Sequence, residues 1–187
     1  IKDQIQQNLS MNPKKFFFFL VIVSIIMMFA AFTSAYLVRR AEGNWLEFSI
    51  PKIFTYSTIV LILSSISMHF SYWAAKKDQF LLLRSAISIT FVLGIVFLLM
   101  QWFGWKELVK NNVFLVGNPS GSFFYVLSGL HGLHIVSALI VLIFALVSAF
   151  KFNIHAKKLN QMEMCVTYWH FLDLLWLYLF VFLLYNN

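Results

Sequence analysis

The chain has 187 residues, of which 61% are hydrophobic, 19% aromatic and only 11% charged, and its mean hydropathy is +0.81. Soluble domains carry about 25% charged residues, so a water-soluble enzyme or binding module is excluded and an all-α polytopic membrane protein is expected. Lys and Arg outnumber Asp and Glu by 14 to 7, but they flank apolar runs as topological anchors, and no basic patch interleaved with aromatics suits nucleic acid.

Five runs approach or exceed the about 20 apolar residues that cross a hydrocarbon core. In chain order they cover approximately 16–38, 53–75, 85–105, 122–150 and 164–185. The first run, about 23 residues, follows Lys14 and Lys15 and is too long for an ordinary signal h-region, so a membrane span is expected there. Pro51 marks the entry to the second run. Asn118-Pro119-Ser120-Gly121 makes a turn before the fourth, with Ser120 or Ser122 as the expected helix cap. Connections are short and no segment is large enough for a soluble domain, so residues 1–187 are expected to form one membrane domain, a single five-helix bundle.

An amino terminus in the cytoplasm would place Lys2, Lys14, Lys15, Lys76, Lys77, Arg84, Lys151, Lys157 and Lys158 inside. Arg39, Arg40, Lys52, Lys106 and Lys110 would lie outside. That asymmetry favours amino terminus in and carboxyl terminus out. Trp73, Trp102, Trp105 and Tyr185 fall near helix ends, where an aromatic belt is expected. Cys165 is the only cysteine, so there is no disulfide framework or thiolate cluster.

The chemistry concentrates near the carboxyl end, where residues 168–176 read YWHFLDLLW. Carrying Asp173 into a membrane helix costs about 2.5–3.5 kcal/mol, so it is expected to face protein, water or a partner. At 100° per residue Glu163, Thr167 and His170 lie close together on one side of the fifth helix, and Asp173 extends the stripe. On the fourth helix His131 shares a face with Ala138, Ala145 and Ala149, with His134 beside it. Small residues let membrane helices approach closely, so the expected packing joins the fourth and fifth helices and buries the histidines with Asp173. A bis-histidine heme between His131 and His170 requires similar depths. At 1.5 Å per residue His131 lies about 13 Å in from one side and His170 about 9 Å in from the other, which leaves them apart. The i, i+3 pair His131 and His134 lacks a neighbouring Glu or Cys and is a poor metal signature. A continuous proton relay through Glu163 and Asp173 alone is sparse.

The segment YWHFLDLLWLYLF resembles the terminal signature of subunit III of the heme–copper oxidases, the group containing cytochrome c oxidase and ubiquinol oxidase. GSFFYVLSGLHGLHIVSALI resembles the family's FF…G.HG.HV pattern. STIVLILSSIS and LGIVFLLMQWF also fit, with Gly94, Phe97 and Gln101 in register, and Glu163 stands where the family places a glutamate. The resemblance covers about residues 20–185. It implies the five-helix form of a non-catalytic subunit in the bacterial cytoplasmic (inner) membrane. Its partners would be the catalytic subunit I and subunit II, with hemes and copper in those chains and no cofactor or metal in this one. The family also implies bound phospholipid, support of proton uptake, protection from turnover-linked inactivation, and membership in larger respiratory assemblies for some members. On this reading His131, His134, Glu163, His170 and Asp173 are structural, lipid or subunit contacts rather than catalytic groups.

Two positions depart from the family pattern: Ser24-Ile25 where many relatives have a serine followed by an acidic residue, and Gly104 where a glutamate often follows the helix-3 glutamine. Roles of those carboxylates do not carry over. The alternative from another class is a heme-b membrane anchor of a quinone-linked respiratory enzyme. A small transporter is disfavoured by the absence of paired Gly/Pro-broken helices.

Overall fold

The computed structural model describes residues 13–150 and 160–186. Over that range the protein is helical: α1 Pro13–Ala41, α2 Lys52–Lys76, α3 Phe80–Lys110, α4 Pro119–Phe150 and α5 Asn160–Asn186. All five are long and apolar enough to cross a membrane. Of the basic residues used to orient the chain, Lys2, Lys151, Lys157 and Lys158 lie outside the described residues, as does the side chain of Lys14.

The helices outrun the apolar windows, most clearly α3, which has 31 residues. Backbone hydrogen bonding continues through polar ends that no longer need lipid, so hydropathy alone underestimates length. Proline opens α1 and α4 at the first helical position, where its missing N–H is no loss. The cap of α4 is Asn118 rather than Ser120 or Ser122: its Oδ1 accepts the Ser120 N–H at 2.9 Å. The Ser120 hydroxyl is buried without a partner among the described residues. The Ser122 hydroxyl instead donates to the Leu115 carbonyl at 2.6 Å.

In lipid, apolar side chains gain little by leaving the bilayer for a helix interface, so close packing and interhelical hydrogen bonds decide which faces meet. The buried residues follow a spacing of three and four. On α2 these are Phe54, Ser57, Leu61, Ser64, Met68, Ser71 and Ala75. On α3 they are Leu83, Ile87, Thr90, Gly94, Phe97, Gln101, Gly104 and Leu108. An average period of 3.5 gives a left-handed seam of the coiled-coil type, and α2 and α3 make the most extensive pair of the bundle. The hydroxyls of Ser57, Ser64 and Ser71 return to carbonyls three residues earlier at 2.8, 2.6 and 2.7 Å. They therefore fill small space without leaving donors unsatisfied.

α3 packs on α4, α4 on α5, and α5 back on α2. These four helices close a ring around the core, and α1 leans on the outside against α4 and α5. We call the end of the bundle where α1 begins the near end, and the other the far end. Near-end Lys15 pairs with Glu163 at 3.0 Å. At the far end the Tyr36 hydroxyl donates to the Asn186 carbonyl at 3.0 Å and Arg40 to Asn186 Oδ1 at 3.2 Å. α1 and α5 thus run parallel, pinned at both ends. Trp105 departs from the expected belt: its indole N–H turns inward to the Ser128 hydroxyl at 3.1 Å.

Gly94 shows how tightly the ring closes. A Cβ there would lie 2.8 Å from both Leu139 Cδ2 and Trp169 Cη2. Trp169 cannot yield easily, because it is only 1% exposed and its indole is tied to Ser64 at 3.1 Å. Gly94→Ala should therefore lower the unfolding free energy in detergent by about 1–3 kcal/mol, the usual cost of overpacking. A variant as stable as the parent in a steric-trapping measurement would refute the close approach of α3 to α4 and α5.

Candidate functional site

The polar residues of α5 meet α2. The helices are antiparallel, so bonded residues step up one as they step down the other: His170–Ser65 and Glu163–Tyr72 are separated by seven residues on both helices, whereas Trp169 and Trp176, seven apart, use acceptors six apart on α2. The Trp176 indole donates to Thr58 Oγ1 at 3.0 Å and the Trp169 indole to Ser64 Oγ at 3.1 Å. His170 Nδ1 and Ser65 Oγ are 2.6 Å apart. One turn toward the near end, the rings of His170 and His69 lie 6.1 Å apart and tilted. At the near-end limit of the seam Glu163 accepts from the Tyr72 hydroxyl at 3.3 Å and from Lys15 at 3.0 Å.

Lys15 and Glu163 are each more than a third exposed, at 37% and 38%. Solvent screens such a pair, so it contributes at most about 1 kcal/mol. Its value is positional: Glu163 joins α1, α2 and α5 at one point.

Asp173 sits midway along this seam, 4% exposed. Neither carboxyl oxygen has a hydrogen-bond partner among the described residues. Ser65 is the side chain that approaches it, but the Ser65 hydroxyl is engaged with His170. The expected histidine pairing of Asp173 across the fourth and fifth helices does not form. The sequence angles place Asp173 and His170 on one flank correctly, but that flank looks at the hydroxyls of α2 rather than at α4.

His131 occupies the middle of the bundle, fully buried, with both ring nitrogens lacking partners among the described residues. It stacks on Trp176 with centroids 4.9 Å apart and takes the edge-on Phe97 at 5.9 Å. His134, half-buried, has its Nδ1 2.7 Å from the Leu130 carbonyl one turn back and its ring beside Phe29 of α1. The five sequence-selected residues therefore divide: Glu163, His170 and Asp173 share the α2–α5 seam, His131 is enclosed by α3 and α5, and His134 faces α1. His131 and His170, the imidazoles that a shared heme would bridge, meet different neighbours. Among the described residues no three His, Cys, Asp or Glu side chains converge in a metal-ligating group. The sequence places His69 at the inner end of the second helix, in a polar cluster or near lipid headgroups, but does not identify Ser65 and the two tryptophans as members of the seam. The seven-residue step shared by Ser65 and Tyr72 on α2 and by His170 and Glu163 on α5 was the available signal.

An apolar cleft of about 780 Å³ opens near the start of α1, between α1, α4 and α5. Phe17, Phe18, Val21, Phe144, Cys165 and Tyr168 contribute to its walls.

The family model described as cytochrome c oxidase subunit III matches residues 6–187. The chain belongs to the cytochrome c oxidase subunit III family. It is thus a subunit of a heme–copper terminal oxidase. A probable cytochrome c oxidase subunit 3 of Mycobacterium tuberculosis is 32% identical over 164 residues, covering 82% of this chain and 78% of that protein. A cytochrome c oxidase subunit 3 of Thermostichus vulcanus is 33% identical over 168 residues, covering 84% and 79%. The cytochrome bo(3) ubiquinol oxidase subunit 3 of Buchnera aphidicola is 29% identical over 184 residues, covering 96% and 89%.

The seam makes a contrast that can be measured on the purified subunit. Thr58→Val or Ser64→Ala should each cost about 0.5–2 kcal/mol, the range for interhelical hydrogen bonds in membranes. Asp173→Leu should cost nothing or stabilise, since it removes an unsatisfied buried carboxyl. Destabilisation of Asp173→Leu by about 1.5–3 kcal/mol would instead reveal a charge-assisted bond.

Proposed function

We propose that this chain is the non-catalytic scaffold of a proton-pumping oxygen-reducing oxidase, seated beside subunits I and II in a bacterial cytoplasmic membrane. The observation that carries this reading is the use to which the intramembrane polar groups are put. Thr58, Ser64, Ser65, Trp169, His170 and Trp176 join α2 to α5, and His131 lies flat against Trp176. Groups so engaged hold helices in register. In this reading the hemes and copper that reduce oxygen to water belong to the partner subunits, and this chain supports the one that carries them.

The excess of basic residues in the loops on the amino-terminal side supports an amino terminus in the cytoplasm and a carboxyl terminus in the periplasm. The cleft between α1, α4 and α5 supports phospholipid binding: its walls are apolar and aromatic, matched to an acyl chain. Near-end Lys15 and Lys76 lie at helix ends, at headgroup level for a lipid in that leaflet. His131, His134, Glu163, His170 and Asp173 then serve as structural, lipid or subunit contacts and not as metal or heme ligands.

Two measurements test this reading. The chain purified alone should show no b-type heme band in its visible spectrum, whereas an intrinsic band would establish the heme-anchor alternative. Oxidase prepared without the chain should keep the heme absorbance of its catalytic subunit but lose oxygen-consuming activity faster during turnover. Unchanged inactivation kinetics would remove the supporting role.

A further inference from the structure

The lipid-exposed surface of the bundle is chemically uneven. Between residues 133 and 147 every exposed residue of α4 is apolar, and between 86 and 103 every exposed residue of α3 is apolar or aromatic. α1 adds only Ser24 and Ser34 to its exposed apolar surface within the span, and neither ionises. The mouth of the α2–α5 seam differs. His69 is exposed there, Thr167 is exposed, and His170 is half-buried between them. Among the described residues the His69 ring meets His170 at 6.1 Å and has no hydrogen-bond partner.

His69 stands seven residues before the near end of α2, a depth of about 10 Å along the axis at 1.5 Å per residue. α2 has 25 residues, about 37 Å, so it overshoots a core of about 30 Å by only a few ångströms at each end. The ring therefore lies within the hydrocarbon. Imidazoles at that depth ordinarily face a bundle interior, a partner or water. α3 has no imidazole. On α4 His131 is buried, and the half-buried His134 is turned to Phe29 of α1 with its Nδ1 at the Leu130 carbonyl. The exposed imidazole surface among the described residues is therefore confined to one seam.

We infer that the mouth of the α2–α5 seam, centred on His69, Thr167 and His170, is where this subunit docks on a membrane helix of a neighbouring oxidase subunit. That helix would present a hydroxyl, carbonyl or carboxyl group to His69. The inference rests on the reading of this chain as an oxidase scaffold and adds which face is used. Ile66 on α2 and Leu174 on α5 flank the polar groups and are exposed, so they would pack against the incoming helix. The outward faces of α3 and α4 are left to lipid.

The test uses the assembled oxidase with a photoreactive benzoylphenylalanine at Ile66 or Leu174, and at Val136 or Ile140 of α4 as controls. Irradiation should join the first pair to a second oxidase subunit and the α4 positions to lipid. Adducts with lipid alone at Ile66 and Leu174, in a complex that retains this chain, would overturn the docking face while leaving the scaffold reading intact. Failure of the chain to copurify with any other oxidase subunit would overturn the scaffold reading itself, and the docking face with it. In parallel, His69→Leu should speed release of the chain from the complex in detergent by about tenfold, the scale of one unsatisfied partner, and His69→Gln should restore retention. Since His69 holds no hydrogen bond among the described residues, His69→Leu should leave the fold of the isolated chain unchanged. Retention of His69→Leu equal to the parent would count against the inference.

Discussion

A polar side chain inside hydrocarbon has no water to fall back on, and the architecture follows from where each such group finds a partner. The hydroxyls of Ser57, Ser64 and Ser71 donate to their own helix, and Ser57 also accepts from Gln101 of α3. The tryptophans of α5 have an indole N–H that their own backbone cannot accept, so they must reach across, and the acceptors they find are Thr58 and Ser64. Donating back to their own helix lets these small side chains pack closely, and accepting from across the interface fixes which helices meet and in what register. Dispersion in the closely packed core supplies cohesion, while the few directional bonds supply uniqueness.

This division accounts for what the sequence made legible. Five spans were readable because hydropathy over about 20 residues is a property of composition alone. The family was readable because the histidine, aspartate and tryptophan pattern of α5 and the paired histidines of α4 are specific together. The packing of α4 on α5 was readable too, but the helix that meets the polar flank of α5 was not. In a soluble helix the apolar stripe announces the buried face, whereas here lipid-facing Leu174 and core-facing Leu172 are alike in hydrophobicity. Angles along α5 grouped His170 with Asp173 correctly, but they carry no information about which helix lies opposite. The alanine face of α4 pointed to close packing and suggested the wrong polar partner. The helix cap failed for a local reason: proline at the first helical position makes the residue before it, Asn118, the cap, although serines nearby have the right chemistry.

His131, which the sequence sets aside as a ligand and assigns to a structural or contact role, packs by shape. Its ring stacks on Trp176 at an interplanar angle of 29° and stands perpendicular to Phe97, close to the stacked and edge-to-face arrangements that aromatic quadrupoles favour. Phe97 also meets Trp176 edge-on at 5.3 Å, so the three rings form one packed unit joining α3, α4 and α5. Trp176 belongs at the same time to the α2 seam through Thr58. All four helices of the ring therefore converge on a single indole. A polar contact on one of its edges and aromatic contacts on its faces link the hydrogen-bonded and the close-packed halves of the structure.

The two departures from the family pattern fit this picture unequally. At Gly104 a Cβ would lie 2.6 Å from Phe54 Cζ, and Phe54 is itself 1% exposed. The space that a glutamate side chain would need is filled by an aromatic ring from α2, so glycine at this position is part of what lets the α2–α3 seam close. At Ser24-Ile25 there is no such compensation: Ile25 packs into the core and Ser24 is exposed. α1 is held by its ends, through Glu163 at one and Asn186 at the other. α1, which carries no Asp or Glu, is also the helix outside the closed ring. The intramembrane polar groups concentrate at α2 and α5, the two helices whose shared mouth is the only place where an imidazole is exposed among the described residues.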